Sequence, residues 1–372
     1  MRTASAALLF GLSLASNAPA QLRLVALDIR VPKPPMAAIS SGRAHFVYEL
    51  RMTNVGRRDV ALQRLEVSTG RGAVVAWQGD SLRRLAIRVG DTGDGRAIPA
   101  GRQSLLYLLV STAAGAIPTS LEHRFFFTHP DSLAGPARDT LGGFQVSVDP
   151  RSAPVLAAPF KGGPWLAANG PGNNSGHRKT VIPLGGVGRI AQRFATDWVK
   201  FGADGRLWRG DSTSNENWYG YREPLVAVAA GTVVAVKDSI PENVPLSPTR
   251  AVPITLETVG GNHVIFDIGN GHFAFYAHLV AGSLKVKLGD RVKAGQPIGL
   301  LGNSGNSDAP HLHLHVGDAP SPLGSEGVPF LFDRYWVLGQ AASFMAAWKA
   351  TDSETAERRA LPFENQVVRF DP

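Results

Sequence analysis

His311-Leu312-His313-Leu314-His315 sets an imidazole against an aliphatic side chain at every second position. An extended strand sorts these two kinds onto opposite faces, because successive strand side chains point to alternate sides. His311, His313 and His315 then share one face. Leu312, Leu314 and Val316 share the other and can anchor in a core. Alternate residues lie about 6.6 Å apart along a strand. Two imidazoles at that separation can divide labour, one binding a metal and its neighbour meeting the metal-bound water. The chain has ten histidines in 372 residues, so three on one face argue against a merely half-exposed strand. Pro310 suits the entry to such a strand, where its missing N–H costs least.

The rest of the chain limits what that face can be. No cysteine is present, so no disulfide staples the fold and any metal site must use His, Asp or Glu. The length fits two domains. Residues 1–20 read as a signal peptide: Arg2, an apolar run over Ala6–Ala15 too short to span a bilayer, and the small-x-small site Ala18-Pro19-Ala20. Export to a periplasm or the cell exterior is expected, with no membrane span after signal cleavage. The net charge of +8 suits an anionic partner such as a cell-wall polymer. The basic residues are scattered without a Lys/Arg run, so no nucleic-acid partner is expected.

The expected fold class is mainly β. Over residues 21–150 short alternating runs, among them Leu22–Val31, His45–Met52 and Ser104–Val110, are punctuated by Gly, Asn and Pro, which predicts an accessory β-sandwich. His45, His123 and His129 stand isolated there. Residues 151–176 are rich in Pro, Gly and Asn but carry Phe160, Trp165 and Leu166, which predicts an ordered strap. Over 177–335 the strand signals strengthen, with Gly269-Asn270-Gly271 marking a hairpin turn, and an antiparallel sheet domain is expected. The tail, 336–372, shows a helical pattern around Gly339–Lys349 and ends in a polar, partly extended stretch. Trp208, Trp218, Tyr219 and Tyr221 lie in a polar insertion that would either wall a groove or pack on itself. Gly186-x-Gly188-x-x-Ala191 lacks the strand–helix context of a dinucleotide site. Arg209-Gly210-Asp211 is a three-residue match of the kind chance supplies.

Three runs carry a specific resemblance: G-N-H-V-I-F-D-I-G-N-G-H-F-A-F-Y-A-H-L, G-D-R-V-K-A-G-Q-P-I-G-L-L-G-N-S-G-N-S and P-H-L-H-L-H-V. From about Pro224 to Val316, and weakly back to His177, the chain resembles the lysostaphin-like (LytM-type) zinc metallopeptidases of bacterial cell walls. The resemblance implies a duplicated hybrid motif type of sheet, one Zn2+, and hydrolysis of peptide bonds in peptidoglycan stems or cross-bridges by zinc-activated water with two assisting histidines. Carried over, it makes His313 and Asp197 metal ligands and His278 and His311 the catalytic pair. The family's early motif is His-x-x-x-Asp, but Arg193 stands four residues before Asp197. Arginine is always protonated and cannot ligate. His177, the only histidine between His129 and His263, is the expected substitute ligand. His315 stands where relatives often carry Glu and is expected to hydrogen-bond and orient a ligand. One alternative is a degenerate, non-catalytic wall-binding or regulatory module, which Arg193 favours; the other is a peptidase acting on another peptide substrate, a protein and not the cell wall. Substrate-contacting residues and oligomeric state are not legible.

Overall fold

Alternation along Arg43–Asn54 governs the N-terminal half. Phe46, Tyr48, Leu50 and Met52 point one way into a buried core, while Val47 and Glu49 point the other. The computed structural model describes residues 26–70, 72–115, 117–129, 137–351 and 353–371. The expected signal peptide lies outside them. Two five-stranded sheets form a sandwich. One is built on Arg43–Asn54 paired with Gln103–Ala113 over eleven residue pairs, and the other on Val60–Ser68 paired with Ser120–His129. Leu62, Leu65, Phe125 and Phe127 close the core from the second sheet. The outer face of the first sheet is also covered. Met36, Ala38 and Val47 join the core of the C-terminal half, and Leu105 and Tyr107 pack on Ile190.

The C-terminal half is organised on one twelve-stranded sheet. At its middle Leu312–Gly317 lies between Thr196–Lys200 and Phe273–Leu279, antiparallel to both. Leu312, Leu314 and Val316 enter a large core with Trp165, Trp198, Val264, Phe266 and Tyr276. Each such aliphatic burial contributes about 1.5–3 kcal/mol. A one-residue slip would exchange the faces, so the leucines fix the side on which the histidines stand.

The strap is built into this sheet: Val155–Leu156 pairs with Leu331–Gln340, and Trp165–Ala168 pairs with Thr196–Lys200. The tail departs from expectation. No helix forms over Gly339–Lys349. Leu331–Gln340 runs on through the 335/336 boundary, and Thr355–Ala360 and Gln366–Arg369 pair with it. Val367, Val368 and Phe370 are buried, so these strands draw their stability from packing. The aromatic insertion packs on itself: the Trp208 and Trp218 rings lie 4.9 Å apart, against Leu207 and Val199. Among the described residues, no helix is long and apolar enough to cross a membrane.

Candidate active site

The register places Asp197 directly opposite His313 on one side and Ala277 opposite it on the other. Asp197 and His313 thus share a face across adjacent strands, and the small Ala277 leaves room above them. His313 Nδ1 lies 3.0 Å from Asp197 Oδ1. His177 arrives from a single helical turn, Gly176–Lys179, outside the sheet. Its Nε2 is 3.3 Å from Asp197 Oδ2. One ligand atom from each of His177, Asp197 and His313 falls within 4.8 Å of the others.

This donor set fits a tetrahedral zinc ion. Bonds of about 2.0–2.2 Å put neighbouring ligand atoms about 3.3–3.6 Å apart; the His313 and His177 nitrogens stand 3.0 and 3.3 Å from the two Asp197 oxygens, and one donor atom from each residue lies within 4.8 Å of the others. The other ring nitrogens are engaged. His177 Nδ1–H donates to the Asn169 carbonyl at 3.1 Å, leaving Nε2 bare. His313 Nε2 is 2.9 Å from His315 Nδ1, leaving Nδ1 toward the carboxylate. His315 itself is buried against Phe275, 4.8 Å between rings. It hydrogen-bonds behind His313 and does not reach the donor cluster as a ligand.

His278 and His311 face the same groove, with ring centroids 4.7 Å apart. His311 Nδ1–H donates to the Ala309 carbonyl at 2.8 Å, and its Nε2 lies 3.3 Å from Asp197 Oδ1. His278 reaches the groove by a β-bulge. Regular alternation would send it with Tyr276 into the core. The pairing instead shifts register between Asn262 and Val264, and His278 adopts φ +68. The bulge turns His278 outward and returns Leu279 to the core. Its Nδ1–H donates 2.8 Å to the Ser304 carbonyl and its backbone N–H 3.0 Å to Gly260. That carbonyl is presented by a tight crossing of two turns. Gly305, at φ +75, would place a Cβ 2.2 Å from the Gly261 nitrogen, so no side chain is tolerated there.

Burial and mutual charge set the titration of the cluster. Burial alone would raise the Asp197 carboxyl, but the His177 and His311 charges and the His311 and His313 hydrogen bonds outweigh it and hold it well below the carboxylate range. His311 is pulled down by burial and more strongly up by Asp197, ending above its ordinary value. Burial first, then the His311 and His313 charges, push His278 well below 6.5. Burial lowers His313 to about 4. His315 is pushed well below its ordinary value by burial, then by His313 and His177.

Arg193 turns away from this cluster. Its guanidinium meets Glu49 at 2.9 Å and Glu326 at 2.8 Å at the boundary with the sandwich. Asn169 was not singled out by its residue type. Its Nδ2–H donates 2.8 Å to Asp197 Oδ2 while its carbonyl receives His177. The one sequence cue was Asn169-Gly170 ending the Trp165–Ala168 strand, a pair suited to the positive φ of +51 found there. The groove measures about 480 Å³ and is lined also by Gln192, Phe275, Asn306 and Phe344. None of the insertion tryptophans lines it.

Residues 219–323 match the family described as Peptidase family M23. That stretch holds His278, His311, His313 and His315 but neither His177 nor Asp197. Over 101 residues the chain is 31% identical to the peptidoglycan DD-endopeptidase ShyA of Vibrio cholerae serotype O1, covering 27% of this chain and 23% of that protein. It is 41% identical over 116 residues to lysostaphin of Staphylococcus staphylolyticus, 30% of this chain and 23% of that one. The solved catalytic domain of lysostaphin from Staphylococcus simulans shares 25% identity over 35% of this chain and 88% of that domain, at a TM-score of 0.22. The chain spans about a quarter of the length of the curated relatives it matches.

Proposed function

Given that the chain carries a peptidase family M23 domain of the lysostaphin-like kind, we propose that it is an exported zinc metalloendopeptidase hydrolysing peptide bonds in peptidoglycan stems or cross-bridges. His177, Asp197 and His313 would hold one zinc ion. Bound there, it would supply Lewis-acid polarisation of a peptide carbonyl and a more acidic water. The chain's own residues do the rest. The groove receives an extended peptide beside the cluster. His278 and His311 each have Nδ1–H committed to a backbone carbonyl, which leaves the His278 Nε2 bare to the groove and turns the His311 Nε2 toward Asp197 Oδ1 at 3.3 Å. An imidazole held this way can accept a proton at Nε2 and return it to a leaving amine. Fixing the rings before substrate arrives lowers the reorganisation the reaction needs.

The single observation carrying this reading is the convergence of His177, Asp197 and His313, from distant parts of the chain, on one point 4.8 Å across. A wall-binding module has no use for that convergence beside two pre-oriented imidazoles. The test is metal content followed by digestion of purified cell walls, with cut products identified by mass spectrometry. One zinc per chain, lost in His313→Ala, and release of wall peptides are expected. The relatives' names point to two bond classes, a DD-linkage and a glycyl-glycine bond, and the products distinguish them. A chain that takes up no zinc at saturating supply is the non-catalytic module.

A further inference from the structure

Two buried arginines take no part in the chemistry above, and both end on the same carboxylate. Glu49 is 2% exposed and stands on the Arg43–Asn54 strand, on the face turned toward the C-terminal half. Arg178 Nε–H donates to Glu49 Oε1 at 3.0 Å and Arg193 Nε–H to Glu49 Oε2 at 2.9 Å. Arg178 is the residue after His177. Arg193 is four residues before Asp197, where the family's first ligand would stand. One side chain of the sandwich therefore grips both segments that lead into the cluster.

The grip matters most for His177, which sits on one helical turn with no strand partner. Arg178 fixes that turn. Besides Glu49, its guanidinium donates to the Tyr48 carbonyl at 2.8 Å, to the Leu108 carbonyl at 2.6 Å, and to Asn173 Oδ1. A planar fork with this many donors engaged has one usable geometry, which a lysine could not reproduce. The neighbouring imidazole inherits that placement, and the Asn169 carbonyl then sets its ring.

We propose that Glu49 is a positioning residue for the metal site: through Arg178 the N-terminal sandwich holds His177 at its ligand position, so the sandwich completes the site. This rests on the reading of His177 as a ligand. It accounts for the histidine missing at Arg193: an ion cluster between domains replaces the short motif that would otherwise bring the ligand.

The experiment is Co2+ titration of the full chain, read by visible absorption, with far-UV circular dichroism as the check on folding. Glu49→Gln keeps the shape and removes the charge. It is expected to stay folded and bind Co2+ about 10–100-fold more weakly, the range for partners that orient a ligand. His177→Ala should lose at least as much, and adding Glu49→Gln to it should cost nothing further, because the two act through one contact. Wild-type Co2+ affinity in Glu49→Gln overturns the proposal, as does an equal loss in the His177→Ala background. Should Glu49→Gln fail to fold, Glu49→Met with Arg178→Met decides. It leaves the Arg193–Glu326 pair balanced, and it must fold yet bind Co2+ weakly; tight binding refutes the proposal. A wild-type chain that binds no Co2+ removes the metal reading and this inference together. Tight wild-type binding with an equally tight Glu49→Gln removes this inference alone.

Discussion

Two buried carboxylates, Glu49 and Asp197, make a natural pair for comparison. Each is at most 7% exposed and each is surrounded by nitrogen bases. Around Glu49 the bases are Arg178 and Arg193. Around Asp197 they are His177, His311 and His313. Arginine is always charged and has no lone pair to offer, so the first cluster can only be an ion pair. Histidine can shed its proton and present a bare nitrogen, so the second can bind a metal or move a proton. The same burial around a carboxylate gives a joint in one place and a reactive centre in the other, and the choice of base makes the difference.

The contrast can be broken at several points. The largest effect is expected for His278→Ala and His311→Ala. Each should lower kcat on wall substrate about 10²–10⁴-fold, the usual worth of a general acid–base group, while zinc content stays at the wild-type level. Assay of both variants beside metal analysis tests this, and loss of zinc along with activity would move either residue into the ligand set.

Stability should divide the clusters the other way. Glu49→Ala strands the buried Arg178 charge and leaves Arg193 to Glu326 alone, and should cost about 3–5 kcal/mol in urea unfolding, as breaking a buried ion pair does. Asp197→Ala in metal-free protein should cost less than half of that, because its histidines can become neutral. Equal losses would erase the distinction.

A smaller effect is expected behind the ligand. His315→Ala frees His313 Nε2 and should weaken zinc binding by about 10–100-fold in a chelator competition. Unchanged affinity would leave His315 as packing against Phe275 only.

The last effect is a pH dependence. Burial raises the Glu49 pKa, but the Arg193 and Arg178 charges outweigh it and the net shift is downward from 4.5. A carboxyl with a lowered folded pKa gives stability that is present above its unfolded value and lost as pH falls through the folded one. The stability gap between wild type and Glu49→Gln should therefore be constant above about pH 5 and shrink as pH falls below 4.5. A gap that persists undiminished into strong acid would show that Glu49 acts through shape and not charge.

Much of this was legible in the chain. His311 to His315 declared a strand with one imidazole face, because period-2 alternation has a single structural meaning. The Tyr-x-His-Leu and His-x-His runs named His278, His311 and His313 by resemblance. The bulge was not legible. Nothing in F-A-F-Y-A-H-L says that His278 leaves the alternation, since the shift is enforced by the Gly260–Gly261 and Ser304–Gly305 turns from elsewhere in the chain. Glu49 was hidden too: in H-F-V-Y-E-L-R-M it occupies an outward position that ordinarily meets water. The tail reads as partly extended, but its strands are not defined by that reading, because T-A-E-R-R-A carries little strand preference and is placed by pairing with Leu331–Gln340.

Local order alone settled the His311–His315 strand, its two faces and the kinds of donor available, because side-chain alternation and residue chemistry act within a few residues. Which donors meet was decided only by the folded chain. Asp197 and His313 are 116 positions apart and meet through strand register. Arg178, next to His177, meets a carboxylate 129 positions before it, in the N-terminal sandwich. Contacts over such separations depend on how sheets and domains dock, and no short stretch of sequence contains that information.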